Sequence, residues 1–167
     1  SISPTSQSVA HGATTTFTVA PDPGYSASAT GCGGSLSGTT YTTGAITAAC
    51  TVSATFVPMV SVAATDNSAT EAGLTTGTFT FTRTGATTAA LTVTYAVTGT
   101  ATAGKDYRTL GTGITFPIGK SKDTKTVTPL QDTRVEPKES IILRLKQRPQ
   151  YAVGSSASGK VILSSDD

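Results

Sequence analysis

The sequence predicts an all-β chain of two tandem β domains, the second a sandwich of seven antiparallel strands. Three observations predict it. Threonine fills 35 of the 167 positions, and a β-branched side chain suits the pleated, half-buried surface of a sheet. Apolar and polar residues alternate with period two in short runs separated by Gly, Pro and Asp, the pattern of half-buried strands joined by turns. Charge is distributed unevenly. Residues 1–58 hold no Lys or Arg and one acid, Asp22, whereas all 12 basic residues and nine of the ten acids follow. A break of this kind marks a domain boundary, and domains are expected over 1–57 and 58–167. The chain is 37% apolar and 13% charged, without Trp. No run approaches the ~18 apolar residues of a membrane-spanning helix. One His and two Cys leave few candidates for catalysis. The start at Ser1, without Met or a signal peptide, fits a mature or excised segment.

In the first domain, residues 14–20 alternate, with Phe17 and Val19 on one face. Pro21-Asp22-Pro23-Gly24 is a turn signal and Gly31-Cys32-Gly33-Gly34 a second. Tyr41, Ala45-Ile46 and residues 50–56 supply further strand material, the last alternating Val52, Ala54 and Phe56 against Thr51, Ser53 and Thr55. Cys32 and Cys50 are the only cysteines. A zinc site lacks ligands, since only His11 accompanies them. A disulfide is expected, worth roughly 3 kcal/mol to a domain with a small core; two buried thiols are the alternative. A disulfide places the chain in an oxidising, extracellular compartment. Val57-Pro58-Met59-Val60 is read as the joint between the domains, with little freedom to bend.

The second domain shows seven strand segments: 60–64, 78–83 (Phe79 and Phe81 inward), 91–98 (Leu91, Val93, Tyr95 and Val97 inward), 114–116, 124–130, 140–146 (Ile141, Leu143 and Leu145 inward) and 158–163. Pro129 marks the fifth as an edge or a strand end. Seven short strands in this length is the count of an immunoglobulin-like Greek-key sandwich, here without the Cys–Trp–Cys signature.

Strand parity gathers the acids. If consecutive strands run up and down, the first, third and fifth connections share one pole with the end of the seventh strand. Asp66 and Glu71 lie in the first connection, Asp106 in the third, Asp132, Glu136 and Glu139 in the fifth, and Asp166 and Asp167 close the chain. Only Asp123 falls at the other pole. Carboxylates so gathered repel, and Lys105, Arg108, Arg134 and Lys138 offset only part of the charge. A hard divalent cation supplies the remainder. Calcium accepts 6–8 oxygen ligands in flexible geometry, magnesium demands a tighter octahedron, and transition metals prefer the His and Cys this pole lacks. The alternative is a solvated acidic rim held by weak surface ion pairs.

These residues resemble the Calx-beta domain family over roughly 59–167. The resemblance rests on Glu71-Ala72-Gly73, TFTFTRTG from Thr78 to Gly85, LTVTYAVTGTATAGKDY from Leu91 to Tyr107, ITFPIGKSK from Ile114 to Lys122, DTRVEPKE from Asp132 to Glu139, and Asp166-Asp167. The family is similar in fold to immunoglobulin sandwiches; its members include the calcium-sensing domains of sodium–calcium exchangers and many repeats of bacterial surface proteins. The resemblance implies that Glu71, Asp106, Asp132, Glu136, Glu139, Asp166 and Asp167 ligate one or two calcium ions (Ca2+). Gln131 and Ser165 stand where calcium-binding members often carry Asp, which removes two charges and weakens binding. Separately, residues 25–56 resemble a small β repeat of bacterial surface proteins in which two Cys flank the motif, which implies a spacer.

The remaining signals read plainly. His11 precedes a Gly in a turn and has no orienting acid in a recognisable motif. Gly111-Thr112-Gly113 lacks the Lys and the helix of a phosphate loop. Arg144, Lys146 and Arg148, with Lys120, Lys122 and Lys125 elsewhere, suit a solvated face and protected strand edges, and a polyanion is the other use of them. The expected function is non-enzymatic: an extracellular calcium-binding structural or adhesion module of a bacterial surface or filament protein. Its expected partners are neighbouring domains, like subunits or cell-surface glycans, with no nucleic acid and no membrane insertion. The alternative is a carbohydrate-binding accessory module of a secreted polysaccharide-degrading enzyme, with tyrosines as its sugar platform. A third is a filament subunit joined by strand addition.

Overall fold

The computed structural model describes residues 1–165. It divides into two units, Ser1–Pro58 and Met59–Asp167, and is all-β apart from one 3-10 turn among the described residues. No described helix is long and apolar enough to cross a membrane.

The first unit contains β1 (Ile2–Ser3), β2 (Thr16–Val19), β3 (Tyr25–Thr30), β4 (Ser35–Ser37), β5 (Thr40–Thr42) and the start of β6 (Ser53–Asp66). Four strands form an antiparallel sheet in the order β1-β2-β5-β4, and β3 pairs with residues 53–58 of β6. Both predicted turns form: the amide of Tyr25 donates to the carbonyl of Asp22 and that of Gly34 to Gly31. Val19 and Tyr41 are fully buried, and the Tyr41 hydroxyl donates to the Gly31 carbonyl. Cys32 and Cys50 are bonded, their Cα atoms 5.6 Å apart. Gly31, at φ +121°, lies so close to the backbone of Thr51 that a Cβ would meet its carbonyl oxygen at 2.0 Å. The bond and this contact hold the irregular segment before β6 against the end of β3.

The second unit uses the rest of β6, then β7 (Ser68–Thr70), the 3-10 turn Ala72–Leu74, β8 (Gly77–Arg83), β9 (Leu91–Gly99), β10 (Gly113–Phe116), β11 (Lys122–Val127), β12 (Glu139–Leu145), β13 (Ala152–Val153) and β14 (Ser158–Ser164). Two sheets form, in the orders β10-β9-β12-β14-β7 and β11-β8-β6-β13. Their facing sides make one core, centred on Phe79, Phe81, Val93, Tyr95, Phe116, Ile141, Leu143 and Val161. The Phe81 and Tyr95 rings meet at 5.4 Å between centroids, an aromatic packing distance.

The units divide between Pro58 and Met59, within the expected joint at Val57–Val60, which is strand and part of β6. Several other expectations are corrected. Two short strands are added to the seven: β7 pairs in parallel with β14, and β13 in parallel with β6. Each is only two or three residues long, too short for a period-two pattern to record. The fifth segment ends at Val127, and Pro129, with no amide hydrogen to donate to a ladder, makes only an isolated bridge to Tyr107. Tyr41, Tyr95, Tyr107 and Tyr151 are buried, which removes them as a sugar-stacking platform. Tyr95 donates to the Leu110 carbonyl at 2.7 Å, and Tyr151 to that of Lys146 at 2.5 Å.

The bond between Cys32 and Cys50 closes a loop of sequence separation 18, so Cys32→Ser lowers the stability of the first unit by about 3 kcal/mol. Faster amide hydrogen exchange in β2 and β5 is the expected readout; unchanged rates contradict it.

Candidate metal centre

The carboxylates assemble at one end of the second unit because its connections are tied to one another there. Gly99 ends β9 at φ +135°, where a Cβ would meet the Ser140 carbonyl oxygen at 2.0 Å. Only glycine permits that approach. The amides of Thr100 and Ala101 then donate to the same carbonyl, and the Ser140 amide donates to Thr100 Oγ1 at 2.9 Å. The loop from β9 thus starts against the first turn of chain in β12. It closes on itself through Asp106, whose Oδ2 accepts the Thr102 amide. It is fastened at its far end where the amide of Leu130 donates to the Asp106 carbonyl and that of Arg108 to Thr128. The chain end joins through the Glu71 amide, which donates to the Ser164 carbonyl at 3.0 Å. Ser165 Oγ donates to the Arg134 carbonyl at 3.2 Å.

Asp106, Glu136 and Glu139 each offer a carboxylate oxygen, and these oxygens lie within 4.8 Å of one another. Asp106 is buried and Glu136 and Glu139 are half-buried. Glu71 is 2% exposed and adds its charge to the field at Glu139. Glu139 feels the crowding most. It continues the inward row of Ile141, Leu143 and Leu145 and pairs in register with the buried Leu163. Burial, followed by the charge of Asp106, a hydrogen bond to it, and the charges of Glu136 and Glu71, pushes its carboxyl up to about 7. Burial and then the Asp106 charge also push the Tyr107 phenol up.

The other predicted ligands sit differently. Asp132 is half-buried, and its Oδ1 accepts the Arg134 amide at 2.8 Å, a local turn. It is not among the grouped carboxylates. Asp66 is exposed and likewise accepts the Ser68 amide. Asp123 lies on β11, in register with Phe81. Asp166 and Asp167 lie outside the described residues. Gln131 Nε2 reaches the Asp132 carbonyl at 3.5 Å.

The donor set fits a hard divalent cation. Its ligands are carboxylate oxygens, with no His or Cys beside them, and their spread matches oxygens around an ion that binds at about 2.3–2.6 Å. Three carboxylates leave room for the carbonyls and waters that complete a coordination number of about 6–8. A cavity of about 510 Å³ occurs in the first unit, against Phe17, Ile46 and the disulfide. His11 is the only titratable side chain on its wall, so it offers no acid–base pair.

Comparison with known proteins settles the family. The sequence model of the Calx-beta domain matches residues 55–167. The chain belongs to the Calx-beta family. Solved Calx-beta structures resemble it in fold. The crystal structure of CBD12 from CALX1.2 superposes with a TM-score of 0.52 at 19% identity, covering 65% of this chain and 45% of that one. The apo-form Calx CBD1 domain gives 0.52 at 19% identity, covering 65% of this chain and 97% of that one. The Calx CBD2 domain gives 0.50 at 13% identity, covering 66% and 88%. This chain therefore spans less than half of the CBD12 structure. No curated protein sequence matches it.

The Glu139 shift has a sign that stability reports. An acid whose folded pKa exceeds its unfolded value adds no penalty below about pH 4.5, and its penalty is complete above about pH 7. Without added metal, the stability contributed by this site falls as pH rises across that window. Urea melts at a series of pH values check it: Glu139→Gln flattens the fall, and an unchanged slope contradicts the shift.

Proposed function

We propose that this chain is a non-enzymatic calcium-binding module that serves as a structural or adhesive segment of a bacterial surface or filament protein. The observation that carries the reading is the meeting of Asp106, Glu136 and Glu139, whose carboxylate oxygens lie within 4.8 Å of one another, with the Glu71 charge near enough to act on Glu139. Membership of the Calx-beta family supports calcium as the ion. The disulfide supports an oxidising, extracellular setting, and the resemblance of residues 25–56 to a surface-protein repeat supports the bacterial one. Neighbouring modules of the same protein, or like subunits, are the partners this reading assigns.

The mechanism is mechanical. Calcium, when bound, supplies two positive charges and directed bonds to oxygen. Asp106 and Glu139 hold fixed positions at the end of the sandwich, whereas Glu136 rides on the connection between β11 and β12. An ion held by Asp106, Glu136 and Glu139 together would tie that connection to the sandwich, and the hydrogen bond from Ser165 to the Arg134 carbonyl would link Ser165 to it. The family resemblance supports Asp132, Asp166 and Asp167 as further ligands of the same ion. Because the ion binds only the native arrangement, it stabilises that state by about 2.7 kcal/mol at a hundred times its Kd.

Calorimetric titration of calcium into chelator-treated protein tests the reading. Heat and a raised melting temperature are expected at millimolar calcium, as for extracellular modules. Asp106→Asn and Glu139→Gln each lower affinity by roughly tenfold or more, while Asp123→Asn leaves it unchanged. No heat in the intact chain, or an equal loss in Asp123→Asn, contradicts it.

A further inference from the structure

The basic residues that the carboxylate site does not use are not spread at random. The outward positions of β9 are Thr92, Thr94, Ala96 and Thr98, those of β12 Ser140, Ile142 and Arg144, and those of β14 Ser158, Lys160, Ile162 and Ser164. None is an acid. Arg144 faces Ala96 on one side and Ser158 on the other, and Lys160 faces Ile142. Lys146 follows β12 and donates its amide to the Thr94 carbonyl. Arg148 reaches the same place, its Nε donating to Thr94 Oγ1 at 3.0 Å. Lys160, Arg144, Lys146 and Arg148 therefore form a diagonal stripe across three strands. At about 4.8 Å between strands and 3.4 Å per residue the stripe is roughly 15–20 Å long. All four are exposed, and none forms an ion pair among the described residues.

We propose that this face docks an extended anionic polysaccharide, its sulfate or carboxylate groups spaced along the stripe and its hydroxyls met by the flanking Thr and Ser. Charge complementarity selects the occupant: four cations with no competing carboxylate fit a polyanion. The chemistry of the face selects the kind. No aromatic side chain stands on it, so bases have no stacking surface. No exposed large apolar residue stands there to enter a bilayer, since Leu74, Ile118 and Val135 all lie in connections. A sheet face lined by Thr and Ser hydroxyls instead matches a linear chain of sugars. The proposal is independent of the calcium site, which lies on the inward row of β12 and in the connections at its start.

Dextran sulfate titrated into the full chain in excess chelator tests it, so that failure of the calcium reading leaves the result intact. Binding is expected, falling steeply as sodium chloride rises, with none to uncharged dextran. Arg144→Glu with Lys160→Glu lowers affinity about tenfold or more, and the neutral pair Arg144→Gln with Lys160→Gln gives a smaller loss. Lys120→Glu with Lys122→Glu, the same change of net charge elsewhere, leaves affinity within about twofold. Melting temperatures of all variants near that of the parent confirm the fold. No binding, an equal loss in the Lys120/Lys122 pair, or duplex DNA or anionic vesicles binding as tightly as dextran sulfate at the same salt overturns the proposal.

Discussion

Mutual repulsion among carboxylates at one end of the second sandwich is the constraint on which the site depends. Glu139 occupies the first inward position of β12, where a Leu or Ile would close the core. It meets Asp106 and Glu136 there, with the Glu71 charge behind them. A proton on Glu139 relieves part of this repulsion, and a divalent cation relieves more, because it bonds several oxygens at once. The backbone pays for the arrangement in advance: Gly99, the Thr100–Ser140 pair and the Asp106–Thr102 turn bring the loops together through hydrogen bonds that need no ion.

Much of this was legible in the sequence, and the limits have physical causes. The inward rows Leu91-Val93-Tyr95 and Ile141-Leu143-Leu145 were read directly, since a half-buried strand writes its two faces alternately. The same row, extended by one step of two, places Glu139 inward; that parity was the available signal for the most perturbed carboxyl. Strand parity also sent Glu71, Asp106 and Glu136 to one end. It could not separate them from Asp132 and Asp66, because a carboxylate that caps its own turn has the same sequence position as one that faces a neighbour. The strand β7 was hidden for a related reason. A three-residue strand in parallel with β14 has no pattern of its own, yet it is what sets Glu71 beside Ser164. Nor could composition show that four of the five tyrosines are buried, since Tyr95 and Tyr151 hide their hydroxyls by donating to backbone carbonyls.

Charge in the second unit is sorted as well as gathered. The grouped acids lie in the connections and on the inward end of one strand, and the stripe of Arg144, Lys146, Arg148 and Lys160 stands on the outward face of the same sheet. β12 contributes to both through the two faces of a single strand: Glu139 by its odd positions and Arg144 by its even ones. Fold alone does not assign a function; here the two sites are separable, because changing one face of β12 leaves the other side's residues in place.

Tyrosine-sensitised terbium luminescence measures the central claim most directly. Terbium is a hard, oxygen-seeking stand-in for calcium, and Tyr107 is next in sequence to Asp106, whose charge it feels. Emission excited through tyrosine should rise as terbium is added, fall when calcium displaces it, and be lost in Tyr107→Phe. Emission that never rises, or that persists undiminished in Asp106→Asn with Glu139→Gln, would show that these carboxylates do not share an ion.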